Sequence, residues 1–327
     1  RRAVELLESD PVLRDDPRQL LISLFCTFWL QDPTIALGYF DRRINRAREV
    51  GALGMLAFGL SLASGGLAWL GDHARAYAFA GEAIELLDTL GYKADPGVAF
   101  EVAATECAGR GMHDEARRLL DRARSSVAIK AFDAMPPHLA HAVSQCAISR
   151  GDLAEVVTAL EDQVARFGGV GSQMEPLGVA PLLVEAYLGL GRHDDAVELA
   201  ARFAAAQADP PHPFVAAMVA RCEGLVAANI DEAVSAFDRS LELHALASDR
   251  LEVARTRLLY GMRLRRGGRR VDARVQLEEA RQAFIAMDLT LWAERAAQEL
   301  AGTGERVARE GTRQPLTSQE TRVALLV

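Results

Sequence analysis

Apolar residues recur every three or four positions along most of this chain, and small residues break the run at a fixed interval. Gly71, Gly111, Gly151 and Gly191 stand 40 residues apart, in LGDHARA, RGMHDEA, RGDLAEV and LGRHDDA. Five residues past each glycine comes Ala76, Ala116, Val156 or Ala196; four further on comes Ala80, Leu120, Leu160 or Ala200. One step back, the register lands on Gln31, with Ala36 and Phe40 at the matching offsets. Going forward, the spacing relaxes to Asn229 with Ala233 and Phe237, then Gly268 with Ala273 and Leu277.

This pattern predicts about seven helical hairpins with turns near residues 31, 71, 111, 151, 191, 229 and 268. A glycine ends the first helix of each, where a left-handed residue costs least. An acidic residue often opens the next helix, at the positive end of its dipole. The small residue admits the partner helix and the bulky one fills the gap. One hairpin cannot bury its apolar face alone, so neighbours must stack. Three connections interrupt the stack: RFGGVGSQMEP (166–176), QADPPHP (207–213) and a polar linker over 302–315.

The unit resembles a tetratricopeptide repeat, whose second helix carries a similar small–large–small pattern. Here that reads Ala116, Leu120, Ala123 and Ala273, Leu277, Ala280. The resemblance implies an all-α fold, a right-handed α-solenoid of hairpins over residues 1–301. The period near 40 exceeds the usual 34, so longer helices or connections are expected. By analogy with tetratricopeptide stacking, the first helices line a concave groove. Glu101, Thr105, His138, His141, Gln145 and Glu185 fall on that face, and Trp29 and Trp69 recur 40 apart beside it. A polar stripe with aromatic flanks suits a ligand, so these eight are the candidate binding residues.

Composition removes other readings. The uncharged stretch 51–71 is long enough to span a bilayer, but six of its 21 residues are glycine and the repeat accounts for it. Cys26, Cys107, Cys146 and Cys222 lie far apart in apolar runs and read as buried thiols of a reducing, cytoplasmic compartment. His73, His113 and His193 each follow a turn glycine in a different repeat, too far apart to share a metal. The glycines of FGGVGS lack the strand and the lysine of a phosphate loop. No catalytic residue, metal or cofactor is expected, and the chain is not expected to be an enzyme.

The end of the chain is different. PLTSQETRVALLV opens a helix: Thr317 is placed to cap it, Glu320 to complete a capping box, and Val323, Leu326 and Val327 to form an apolar face. With the preceding repeats, this stretch resembles the large LuxR-type transcriptional regulators that carry an AAA/STAND ATPase. In that family a helical-repeat region precedes a C-terminal helix-turn-helix that commonly opens LT-x-x-E-x-x-V-A-x-L-V, here Leu316, Thr317, Glu320, Val323, Ala324, Leu326 and Val327. The resemblance implies that 316–327 is the first helix of a DNA-binding domain continuing downstream. It also implies that ATP belongs to a domain upstream, since no P-loop occurs here.

Charge fits this layout. Residues 1–249 carry 22 basic against 35 acidic side chains, and residues 250–327 carry 15 against 10. Arg263, Arg265, Arg266, Arg269 and Arg270 form a basic patch near the expected DNA-binding end. The leading expectation is thus a regulatory sensor segment. It would bind a small-molecule inducer or a partner protein and pass that state on, touching DNA only through the downstream domain and no membrane. A free-standing scaffold holding a peptide in its groove, or a homo-oligomerisation spacer, are the alternatives.

Overall fold

The computed structural model describes residues 9–10, 33–91, 97–125, 135–166, 179–207, 211–246, 249–304 and 316–325. All regular structure among them is helical. Trp29, Gln31, Cys26, the FGGVGS connection, most of the 302–315 linker, Leu326 and Val327 lie outside these residues.

The helices alternate in the expected register. They are α1 (Pro33–Glu49), α2 (Leu53–Trp69), α3 (His73–Leu90), α4 (Val98–Gly109) and α5 (His113–Ser125). There follow α6 (Pro137–Arg150), α7 (Leu153–Arg166), α8 (Val179–Gly189), α9 (His193–Ala205) and α10 (Pro213–Val226). The last are α11 (Ile230–His244), α12 (Arg250–Arg266), α13 (Arg270–Ala286), α14 (Thr290–Ala301) and α15 (Ser318–Ala324). The architecture is that of an all-α helical-repeat solenoid, its helices packed in adjacent pairs.

Five turns use the glycines of the register. Gly71, Gly111, Gly151, Gly191 and Gly268 all have φ between 77° and 81°. Two of these turns use one aspartate for two helix ends. The Asp152 N–H reaches back to Ala147 O at 3.0 Å, closing α6. Its carboxylate then accepts from the Glu155 N–H at 3.1 Å, opening α7. Asp72 does the same between α2 and α3, with Leu67 O and the Arg75 N–H. The sixth turn departs from the expectation of a left-handed residue. Asn229 is extended, at φ −132°, and its side chain accepts from the Asp231 and Glu232 N–H groups instead. Side-chain capping replaces a left-handed backbone there.

The small–large pattern does what spacing required. Ala116, Leu120, Ala123, Ala273, Leu277 and Ala280 are all buried. The partner helices answer with glycines. A Cβ on Gly224 would lie 2.7 Å from Phe237 Cδ2, and one on Gly261 would lie 2.5 Å from Leu277 Cγ. The bulky residue of each of these second helices thus rests on bare backbone of the first.

The chain forms two compact units. The first holds residues up to 106, together with 114–135 and 316–327. In it α15 packs on α3 with the capping box formed: the Thr317 N–H donates to Glu320 Oε2 at 2.9 Å, and the Glu320 N–H donates to Thr317 Oγ1 at 3.2 Å. The helix docks through a mostly polar edge. Ser318 sits over Gly81, Thr321 is buried and Arg322 pairs with Glu85 at 3.1 Å, while Leu316, Val323 and Leu325 are exposed. A Cβ on Gly81 would clash with Ser318, so the glycine makes room for this edge of α15.

The second unit holds 107–113 and 136–315. Its first helices, α6, α8, α10, α12 and α14, pack side by side in chain order as an inner row. The row turns back on itself. Arg295 of α14 donates to Ile148 O of α6 at 3.3 Å through both terminal nitrogens. The Arg110 guanidinium pairs with Asp288 at 3.1 Å, and Thr290 Oγ1 donates to Arg110 O at 3.2 Å. Asp288 holds a left-handed φ of 58°, a conformation aspartate tolerates better than most residues.

Among the described residues, no helix is long and apolar enough to cross a membrane; the uncharged stretch supplies α2, of 17 residues.

Candidate functional site

The inner row of the second unit carries a buried cluster of charge. It is built from one or two residues per helix, all on the faces that meet. Arg255, in the middle of α12, is its centre and is 2% exposed. Its guanidinium donates to Gln145 Oε1 of α6 at 3.1 Å and to Glu185 Oε2 of α8 at 3.0 Å. It lies 3.6 Å from Glu252 Oε1, one turn earlier on its own helix. Glu252 in turn accepts from Arg221 of α10 at 2.5 Å. Trp292 of α14 closes one side, with the Arg255 and Arg295 guanidiniums 5.3 and 4.9 Å from its ring centroid.

Two histidines border this cluster. His141 Nε2 is 3.4 Å from Gln145 Nε2, and His244 Nε2 is 3.1 Å from Thr256 Oγ1. Burial holds both imidazoles down at about 4, with the neighbouring Arg255 or Arg221 adding to the effect and Glu252 opposing it. Both are therefore neutral at pH 7. Burial alone pushes the Glu252 carboxyl up, but Arg221 and Arg255 together outweigh it and hold it well below the usual carboxylate range. The cluster is two arginines against two glutamates, with neutral imidazoles at its edge. Its charges are paired with one another, while Arg221 Nε and the Nδ1 atoms of His141 and His244 are buried with no hydrogen-bond partner among the described residues.

Of the eight residues read from sequence, His141, Gln145 and Glu185 are brought together here. His138 lies half-buried one turn before His141, with burial lowering its pKa. The other described residues belong to the first unit. Trp69 ends α2 half-buried, Glu101 is buried in α4, and Thr105 turns its hydroxyl onto Val102 O at 2.9 Å. Trp29 is outside the described residues. Gln145 and Glu185 are not open groove residues as expected, because Arg255 occupies both.

Sequence reasoning missed Arg221, Glu252, Arg255 and Trp292. The signal was present: the inner-face register 145, 185 continues, at relaxed spacing, to 221, 255 and 295. Charges inside the apolar run LEVARTRLLY mark the same place.

His73 was expected as a turn residue. It is buried in the first unit, with Nδ1 2.7 Å from Glu106 Oε1. His113 is half-buried and His193 exposed. Cys107, Cys146 and Cys222 are buried thiols. Among the described residues, no group of three or more His, Cys, Asp or Glu side chains is placed to hold a metal ion.

The basic patch is smaller than its sequence. Arg263 donates to Ala227 O at 3.0 Å, Arg265 pairs with Glu299 at 2.8 Å and Arg269 with Asp272 at 2.7 Å. Arg266 and Arg270 are exposed and have no ion pair among the described residues.

No protein-family pattern matches the chain, and no curated protein matches it as a relative.

Proposed function

We propose that this chain is the regulatory helical-repeat segment of a LuxR-type transcriptional regulator. In this reading it binds an inducer or a partner protein and relays that state to an ATPase domain and a DNA-binding domain outside the sequence described. ATP belongs to the former, and DNA contact to the latter. The observation that carries the reading is α15: the LT-x-x-E segment forms a capped helix, and Leu316, Val323 and Leu325 remain exposed on it. A first helix of a helix-turn-helix needs such a face for its own partners. The repeat scaffold supports the reading too, since stacked hairpins offer long surfaces for regulatory contacts.

The inner row bears on the scaffold alternative. Arg255 already engages Gln145 of α6 and Glu185 of α8, so a peptide reading those two groups would compete with it. An inducer engaging Glu185 or Gln145 would have to displace Arg255, which couples binding to the packing of three helices.

The test is the reading frame surrounding this sequence. A P-loop upstream and a recognition helix downstream would support the reading. Continuation into an unrelated domain, or a stop directly after Val327, would overturn it.

A further inference from the structure

The second helices of the hairpins form the outer surface of the second unit, and two of them are unlike the others. On α11 the exposed positions Asp231, Glu232, Ser235, Asp238, Arg239 and Glu242 are all polar. On α9, by contrast, Val197 is 50% exposed, and Leu190 in the turn before it is 45% exposed. On α13, Val271 is 70% and Val275 52% exposed. A helical valine this exposed gains little for the fold of its own copy.

The charges beside these valines are opposite in sign. Asp194 and Glu198 flank Val197, one before and one after it on the same face of α9. Both are exposed and neither has an ion pair among the described residues. Arg266 and Arg270 stand at the Gly267–Gly268 turn directly before Val271, likewise exposed and without an ion pair among the described residues. Their neighbours are already engaged internally: Arg192 with Asp195, Arg269 with Asp272. Arg202, one turn past Glu198, bounds the acidic face. So one helix presents valine with two unused carboxylates, and another presents two valines with two unused guanidiniums. The hairpin α10/α11 stands between them in the stack, so the two faces are not neighbours in one copy.

We propose that copies of this chain associate head to tail, the acidic apolar face of α9 in one copy against the basic apolar face of α13 in the next. Charge complementarity orients the contact, and burial of Val197 against Val271 and Val275 adds the apolar part. Such an interface is heterologous, so it propagates into rings or filaments rather than stopping at a two-fold dimer. The patches are small, and the association is correspondingly weak and salt-sensitive. The inference is independent of the regulatory reading above.

Sedimentation velocity of the full 327-residue chain over a concentration series, at low and physiological salt, is the test. The weight-average mass should rise with concentration and fall with salt. R266E/R270E and D194R/E198R should each weaken self-association at least about tenfold. Mixing the two variants, or combining all four substitutions in one chain, should restore it, because the signs match again. Helical circular dichroism confirms that each variant is folded, and rescue by the fourfold variant excludes simple misfolding. A monomer at every concentration, or association that neither pair of substitutions changes, would overturn the proposal. So would a monomeric chain whose binding to duplex DNA is lost in R266E/R270E, which would make the patch a nucleic-acid surface.

Discussion

Arg255 makes contacts with residues 110 and 70 positions away, so a single side chain holds α6, α8 and α12 in register. The cost of such a buried set lies in breaking it unevenly. Arg221→Met leaves Glu252 facing only Arg255 and should destabilise the chain by about 3–5 kcal/mol. Adding Glu252→Leu should recover most of that loss, because two apolar side chains then replace a desolvated pair. Urea denaturation of the single and double variants checks both steps. If the double variant is no better than the single, the contact of Glu252 with Arg255 outweighs its pairing with Arg221.

The same residues set a response to acid. His141 and His244 have folded pKa values held at about 4, against an ordinary value near 6.5. Between those values the unfolded chain binds more protons than the folded one, so stability falls as pH falls. Each imidazole contributes a slope of order 1 kcal/mol per pH unit in that window. Glu252, held low, adds to the loss only once pH drops below the ordinary carboxylate range. Denaturation midpoints from pH 7.5 to 4.5 should therefore begin to decline near pH 6.5. His141→Gln with His244→Gln should flatten the upper part of that decline. A flat wild-type profile down to pH 5 would show that the two imidazoles are not held neutral.

At the scale of elements, the second helices depend on small residues at fixed places. Ala116 and Ala196 are fully buried, and leucine at either should overpack the hairpin by roughly 1–3 kcal/mol. His193→Leu, three residues before Ala196 but exposed, should change stability by less than about 0.5 kcal/mol. Thermal or chemical denaturation orders the three variants, and the reverse order would mean that the helix faces are assigned backwards. These positions were legible from sequence because a hairpin repeats its own packing, and a 40-residue register exposes that repetition. Gly71, Gly111, Gly151, Gly191 and Gly268 were legible for the same reason.

What sequence did not show is what depends on closure. Gln145 and Glu185 were found on one face, but nothing local to them indicates that Arg255 arrives from three and two hairpins further on. The docked edge of α15 is hidden from sequence for a related reason. Val323 marks an apolar stripe, while Ser318 on the docked edge meets Gly81, far away in sequence. Periodicity reports which residues share a helix face; it does not report which distant residue covers that face.

At the scale of the whole molecule, the net charge of −8 opposes nucleic acid, and only Arg266 and Arg270 of the basic patch are uncommitted among the described residues. This chain should bind duplex DNA weakly and without sequence preference. With two phosphates neutralised, log affinity against log salt should have a slope of about −2. Titration of a promoter duplex and a scrambled one at several salt concentrations measures it. A slope several times steeper, or a clear preference for the promoter, would place a DNA-reading surface elsewhere on the chain.

The return of α14 onto α6 has a further consequence, for the arithmetic of repeats. An open stack of hairpins gains or loses a unit with little penalty, since each new member meets only its neighbours. The second unit has no such freedom. Asp288 reaches Arg110, and Arg295 reaches Ile148, only because a set number of hairpins stands between them. Excising α8/α9, or duplicating it, would carry these groups past their partners by one whole repeat. Copy number here is part of the structure, fixed as firmly as the length of a ring.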